Sequence, residues 1–232
     1  MKNNITILFL FVIVLFSCQD KEKPPTESEK CEEYLNFKQI GEQSNNFISG
    51  TIGNNSFYYG VQNTRFKMYS FGGNFSSGSG VQRSEFVFGL LDTLSGINVN
   101  DVREPSFNFL FSFIAKEELP HYEILQKYLK VGDLPIEIEQ SSDPFGMSIR
   151  IEADCGYLYT QGGGSTIWRS NVGNQQNSYI RCTSVSTKDL GDSIEYSVGL
   201  SFDINIYKDN FGNVLWNNIK NGVAQMTFTI DK

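Results

Sequence analysis

Two pairs of acidic residues are spaced so that both members of a pair point to the same face of a β-strand. Glu137 and Glu139 form one pair, and Glu152 and Asp154 form the other. Two such carboxyl groups can hydrolyse a glycosidic bond when a pocket raises the pKa of one and sets their separation. Both pairs fall on the polar side of an alternating pattern, which predicts a solvated face. We therefore predict no catalytic residue here.

Other catalytic and cofactor patterns are absent from the sequence. His121 is the single histidine, so any serine or cysteine nucleophile would need it as a base, and no G-x-S-x-G pattern occurs. The glycine-rich stretches 77–80 and 162–164 lack the G-K-[ST] ending of a phosphate loop. No Cys-x₂-Cys pair is present to bind zinc. We predict a protein that is not an enzyme and that has no cofactor or metal.

Aromatic side chains are the candidates for ligand binding, because flat rings at the rim of a sheet can stack on sugar rings. Such rings also fill protein cores, and the sequence leaves both interpretations open. The candidates lie near the glycine-rich loop 162–164 or follow a predicted turn. They are Tyr157, Tyr159, Trp168 and Trp216.

The chain begins with a short segment that is typical of an export signal. Residues 5–16 are apolar apart from Thr6, and Lys2 precedes them. Twelve helical residues span about 18 Å, well short of the roughly 30 Å of a bilayer's hydrocarbon layer. The length and the positive start predict a signal peptide over residues 1–17.

The end of this segment, Leu-Phe-Ser-Cys at 15–18, resembles the lipobox of bacterial lipoproteins. Phe16 is bulkier than the residue usual at its position. The resemblance implies cleavage before Cys18 and attachment of lipid to its thiol. Two or three acyl chains hold a protein on a membrane firmly, so we expect a lipid-anchored protein of the cell envelope, on an outer membrane and facing the periplasm or the surface.

Charge and composition limit the partners further. The chain has 26 acidic and 19 basic side chains, a net charge of −7, and no basic run. Contacts to phosphates require clustered Lys and Arg, so we exclude nucleic acid as a partner.

Residues 18–33 are polar, with adjacent prolines, and predict a flexible tether. The expected partners are the membrane, through the lipid, and a glycan or another envelope protein.

From residue 34 onward the hydrophobic pattern has a period of two, which predicts one domain over residues 34–232. The alternation is longest over 193–206, which predicts either one long, strongly twisted strand or two strands joined at a bulge at Gly199. Residues 120–130 show a helical stripe that Gly132 would end. We predict an all-β, antiparallel β-sandwich of about ten strands with one short helix; a closed β-barrel is the alternative. The predicted strands are 47–52, 56–61, 65–71, 84–91, 106–114, 147–153, 156–160, 179–185, 193–206 and 224–230, with turns at 53–55 and 221–222.

Three cysteines remain after Cys18, an odd number for an exported protein. Cys155 and Cys182 lie in or beside predicted strands, and a bridge between them would close a loop of about 28 residues. A bridge from Cys31 to either one, or no bridge, fits the sequence equally well.

Several segments together resemble the small β-sandwich lipoproteins of unknown function that are common in Bacteroidota. They are residues 50–58, 128–132, 154–159 and 221–224. In that phylum a D-[ST]-aliphatic pattern accepts O-linked glycans, which makes Thr93 and Ser193 candidates. We expect a non-enzymatic binding module; a glycan-processing hydrolase and a structural or assembly subunit of an envelope complex are the alternatives.

Overall fold

The computed structural model describes residues 44–61, 66–76, 82–92, 98–99, 102–103, 106–137, 143–154, 166–208 and 214–232. Its helix in these ranges is α1 (His121–Tyr128). The strands, in chain order, are β1 (Phe47–Ile52), β2 (Asn55–Gly60), β3 (Phe66–Ser76), β4 (Gln82–Asp92), β5 (Asn98–Val99), β6 (Val102–Arg103), β7 (Ser106–Ala115), β8 (Gly132–Leu134), β9 (Phe145–Asp154), β10 (Thr166–Arg169), β11 (Tyr179–Asp189), β12 (Ser193–Lys208) and β13 (Val214–Asp231).

Eleven of these strands form one antiparallel sheet, nine of them in the order β2-β1-β13-β12-β10-β9-β7-β4-β3. The sheet branches at β12, because β11 pairs with its first part and β10 with its end, and β8 extends the β11 branch. Strands β5 and β6 pair only with each other. Among the described strands the sheet is not closed, so the fold is all-β and sandwich-like rather than a closed barrel.

The sheet folds over so that its two halves pack against each other through aromatic rings. The Phe88 ring of β4 stacks on Phe228 of β13 with centroids 4.8 Å apart. Phe111 of β7 meets Phe202 of β12 edge-on at 5.5 Å. These residues are buried, so the core lies between a layer containing β4, β7 and β9 and a layer containing β12 and β13.

The predicted alternation of β12 is confirmed. Every even-numbered residue from Ile194 to Ile206 is buried, while the odd-numbered residues between them are half-buried, apart from Gly199, which is also buried. The strand is continuous past Gly199, because the bulged residue opposite that position belongs to β11 and not to β12. The predicted hairpin between β1 and β2 is also present, with Gly53 at φ +57 in the turn that follows Ile52.

The predicted helix forms over a shorter range, and it covers one part of the core. Ile124 and Leu125 are buried, and the Tyr196 hydroxyl of β12 donates to the Tyr122 carbonyl at 3.1 Å. The helix ends before Gly132, which instead begins β8. Within the described residues, no helix is long and apolar enough to cross a membrane.

The turn predicted at 221–222 is wrong. Strand β13 runs through these residues, and the ladder with β12 and β1 shifts register around them. Asn221 has φ +51, and its N–H donates to the Asp203 carboxylate at 2.7 Å. An Asn-Gly pair tolerates this backbone conformation inside a strand, so the local signal produces a bulge rather than a chain reversal.

Strands β5, β6, β8 and β10 are absent from the prediction because they are too short to show a periodic pattern. The predicted strand 156–160 lies outside the described residues. So do the signal peptide, the lipidation site Cys18 and the tether.

Candidate functional site

Of the two interpretations of Trp168, ligand stacking and core packing, the structure supports core packing. Its side chain is completely buried, because Trp168 lies opposite Ile151 in the β9–β10 ladder and both residues point into the core. The Trp168 and Trp216 rings lie 5.0 Å apart, and half-buried Trp216 packs against the same core. Tyr157 and Tyr159 lie outside the described residues.

The cysteines and the modification sites are described only in part. Cys182 is a buried free thiol that donates to the Ser184 carbonyl at 3.4 Å, and burial raises the pKa of this thiol. The structure therefore contains no bridge from Cys182 to Cys155 or Cys31. Cys155, Cys31 and Thr93 themselves lie outside the described residues. Ser193 is half-buried at the start of β12, and its glycosylation stays a prediction.

A cleft of about 510 Å³ opens where β8 meets the start of β11. We call it the Tyr179 cleft. Its lining includes Asp133, Ile136, Asn174, Gln176, Ser178 and Tyr179. The Tyr179 side chain is 40 % exposed, which is unusual for a large aromatic residue in this fold.

One wall of the Tyr179 cleft is held in place by side-chain hydrogen bonds to backbone. The Gln175 amide nitrogen donates to the carbonyls of Ser170 and Asn205, at 2.8 and 2.9 Å. The Tyr207 hydroxyl donates to the Asn174 carbonyl at 2.6 Å. These bonds tie the loop 170–178 to β12, so the residues it presents to the cleft are preorganised.

The opposite wall carries charge. Arg181 of β11 donates to the Asp133 carboxylate at 2.6 Å across the β8–β11 ladder, and this hydrogen bond lowers the pKa of Asp133. The carboxylate therefore stays ionised as a hydrogen-bond acceptor. The neighbouring side-chain amides of Asn174 and Gln176 are exposed and can both donate and accept. An exposed ring beside such groups suits a ligand with hydroxyl groups and apolar faces.

Sequence reasoning missed Tyr179, although a signal for it existed. Ile180 and Cys182 are apolar positions of the predicted strand 179–185, and both are buried. Tyr179 has the opposite parity and points away from the core.

A second concavity, of about 280 Å³, lies on the outer face of β4, β7, β9 and β10. We call it the outer groove. Its polar lining is Glu85, Ser112, Ser148, Arg150, Arg169 and Asn171. The Ser112 hydroxyl donates to the Glu85 carboxylate, and Arg150 forms an ion pair of 2.5 Å with Glu152.

Glu137 lies close to the outer groove and is not solvated, contrary to the prediction. It is 2 % exposed, and a Cβ on Gly146 would lie 2.8 Å from its Oε2, so the carboxyl covers Gly146. Gly146 in turn pairs with Ile114 of the groove. Within the described residues Oε2 has no hydrogen-bond partner. Burial raises the pKa of Glu137, and the nearby cations Lys116 and Arg83 oppose this.

The other members of the two acidic pairs are Glu139, Glu152 and Asp154. Glu152 is half-buried and accepts a 3.1 Å hydrogen bond from the Asn108 side chain, in addition to its ion pair with Arg150. Glu139 and the Asp154 side chain lie outside the described part of the chain. In that part, no group of three or more His, Cys, Asp or Glu residues could hold a metal ion.

We expect Glu137→Gln to stabilise the protein at neutral pH. Because the folded-state pKa of Glu137 lies above the ordinary value of 4.5, the folded protein binds this proton more tightly than the unfolded chain. Stability therefore falls as pH rises from 4.5 through the raised pKa. The neutral glutamine removes that fall, so we expect Glu137→Gln to be more stable than the wild type at pH 7 and little different below pH 4.5.

Urea unfolding of both proteins between pH 4 and 8 measures this effect. Glu118→Gln, at an exposed position, is the control and should leave the pH profile unchanged. A Glu137→Gln profile parallel to that of the wild type would contradict the assignment.

Comparisons with models of protein families, with curated proteins and with solved structures give no match to this chain.

Proposed function

We propose that the protein is a lipid-anchored, non-enzymatic binding module of a bacterial cell envelope, and that it binds glycan in the Tyr179 cleft. The observation that carries the proposal is the exposed Tyr179 ring beside the Asn174 and Gln176 amides and the Asp133 carboxylate. Sugar rings have C–H faces that pack on aromatic rings, and their hydroxyl groups both donate and accept hydrogen bonds. This combination of groups in the Tyr179 cleft matches that chemistry.

Glycan-array binding of the full chain, purified in a non-ionic detergent, tests the ligand. We expect Tyr179→Ala to weaken binding about tenfold, the equivalent of about 1.4 kcal/mol, because the stacking surface is lost. Phe71→Ala is the control, since it removes another exposed ring, on β3. Absence of glycan binding, or equal binding by the Tyr179→Ala variant, would refute this assignment.

The anchor has its own test. Cys18 is the acceptor that the lipobox resemblance implies, and the tether of residues 18–33 reaches at most roughly 50 Å from the membrane. We expect Cys18→Ser to abolish acylation, so that the protein no longer carries lipid on its thiol, as mass spectrometry of the product from membranes would measure. A wild-type protein without an acyl group would refute the anchor while leaving the cleft proposal standing.

A glycan-processing hydrolase is the second candidate, favoured by Glu137. A buried carboxyl with a raised pKa has the property required of a general acid, and Glu85 is a carboxylate of the outer groove on the same face. Incubation of the full chain with the glycans that it binds, followed by analysis for released reducing ends, distinguishes the two candidates. Hydrolysis by the wild type and not by Glu137→Gln would replace the binding-module proposal with the hydrolase.

A further inference from the structure

One row of directly paired residues crosses six strands of the sheet and ends in the Tyr179 cleft. In each ladder the next strand places its residue opposite the previous one, so the side chains follow one another across the sheet. The last member, Asp133, lines the cleft. We call this set the cross-strand row; from β2 to β8 it consists of Tyr58, Ser49, Val223, Ser201, Arg181 and Asp133.

The cross-strand row lies on the outer face of its layer. Residues next to its members along the strands, such as Ile48 and Leu200, are buried in the core, and successive residues of a strand point to opposite faces. Val223, in the middle of the row, is an aliphatic side chain that is 43 % exposed. The row therefore has an accessible apolar surface at its centre, between the hydroxyl groups of Ser49 and Ser201.

An aromatic pair lies at the end of the row that is opposite to the cleft. The rings of Phe47 and Tyr58 stack with centroids 5.3 Å apart and an interplanar angle of 17°, and both residues are half-buried. Phe47 precedes Ser49 by two residues on β1, so it points to the same face. The row therefore has an aromatic surface at each end, Tyr179 in the cleft and the Phe47–Tyr58 pair on β1 and β2.

The charged side chains of this face pair with each other. Arg181 donates to the Asp133 carboxylate at one end of the row, and Lys220 lies 3.5 Å from the Asp203 carboxylate beside it. An acidic ligand gains little from cations that are already paired, and the net charge of −7 opposes its approach. The adjacent row on the other side is uncharged and consists of Phe47, Gln225, Gly199 and Ser184. This part of the sheet therefore suits an uncharged ligand.

The length of the cross-strand row fits a chain of sugars better than a single ring. Neighbouring strands lie about 4.8 Å apart, so the four intervals from Tyr58 to Arg181 span about 19 Å. Each interval is close to the length that one pyranose ring adds to an extended glycan chain. A linear glycan that lies across the strands places successive rings over successive strands.

We infer that the glycan bound in the Tyr179 cleft is a linear, uncharged oligosaccharide that continues along the cross-strand row to the Phe47–Tyr58 pair. The inference rests on the proposed function, because it extends the same site. The two serine hydroxyls of the row donate to and accept from sugar hydroxyls, and its central valine packs on a C–H face. Chain length, in addition to the type of sugar, then determines affinity.

An NMR titration of the full ¹⁵N-labelled chain in non-ionic detergent tests the inference. The probes are cellohexaose, mannohexaose, xylohexaose and maltohexaose, each compared with its own disaccharide. We expect at least one hexasaccharide to shift the backbone amide signals of Tyr179, Ser49 and Val223, with a Kd about tenfold below that of its disaccharide. The disaccharide should shift only the signals at the cleft, because it is too short to reach β1. Hexagalacturonate, the charged control, should leave the row unshifted.

A variant in the middle of the row separates it from the cleft. We expect Val223→Lys to raise the hexasaccharide Kd about tenfold and to leave the disaccharide Kd unchanged, because the ammonium group must lose water beneath a sugar ring. The position is exposed, so the variant should fold, which circular dichroism checks. Thr229→Lys is the matched control. It is exposed on the same strand but outside the row, and it should bind like the wild type.

The outcomes distinguish this inference from the proposed function. Shifts at Tyr179 alone, with equal Kd values for disaccharide and hexasaccharide, would overturn the row and leave the cleft proposal standing. Shifts along the row that bypass Tyr179 would refute the cleft proposal and the continuous path with it. Absence of binding by every probe would overturn the inference, and the glycan array then decides the cleft proposal on its own.

Two further results would also overturn the inference. One is an unchanged hexasaccharide Kd in the folded Val223→Lys variant, which would show that the ligand does not cross β13. The other is an equal response of the row to hexagalacturonate, which would show that the site does not select an uncharged chain.

Discussion

Phe88→Ala is expected to lower the free energy of unfolding by about 3–5 kcal/mol, a large share of the stability of an ordinary domain. The Phe88 ring is completely buried, 5.6 Å from the ring of Phe111 and 4.8 Å from that of Phe228. It therefore contacts its own layer and the opposite one. Truncation loses the transfer free energy of the ring and leaves a cavity that the two packed layers cannot close.

Urea unfolding measured by tryptophan fluorescence gives this value, because Trp168 and Trp216 report on the core. Phe71→Ala is the matched control on the neighbouring strand β3. Its side chain is 53 % exposed, so we expect a loss below about 1 kcal/mol. Similar losses in the two variants would contradict the packing described for the β4–β13 contact.

Gly89→Ala is expected to be almost as damaging, at about 2–5 kcal/mol, for a different reason. A Cβ at this position would lie 2.2 Å from the carbonyl oxygen of Phe109 and 2.9 Å from the Leu110 Cα. Both atoms belong to the backbone of β7, which pairs with β4 here. Relief of the overlap would separate two hydrogen-bonded strands of the sheet.

Gly132→Ala separates this steric effect from backbone strain. Gly132 also has a positive φ, +134 against +155 for Gly89, but nothing lies within 4 Å of its would-be Cβ. We expect it to lose about 1–2 kcal/mol through the backbone alone. Thermal unfolding of both variants measures the comparison, and equal losses would show that the close approach to β7 does not matter.

Much of the fold could be predicted from local patterns. The alternation of β12 predicted its buried face residue by residue, because a strand turns successive side chains to opposite sides whatever its neighbours are. The hairpin at Gly53 could also be predicted from neighbouring residues alone, because glycine adopts the positive φ that a tight reversal of the chain requires. Asn221 also accepts a positive φ, but it forms a bulge and not a chain reversal. The register of β13 with its two neighbouring strands, β1 and β12, decides between a bulge and a turn.

By itself, then, the sequence determined where most of the longer strands and the one described helix lie. Only the tertiary structure decided the sites. Trp168 is in a strand of four residues, too short to show which face is apolar, and its ladder with β9 turns it inward. Arg150 and Arg169 are neighbours because of that same ladder. Glu137 is buried because it packs against Gly146. These neighbouring residues come from different segments of the chain. A shift of one residue in strand register would exchange the buried and exposed faces, so the local sequence pattern cannot specify which residues meet.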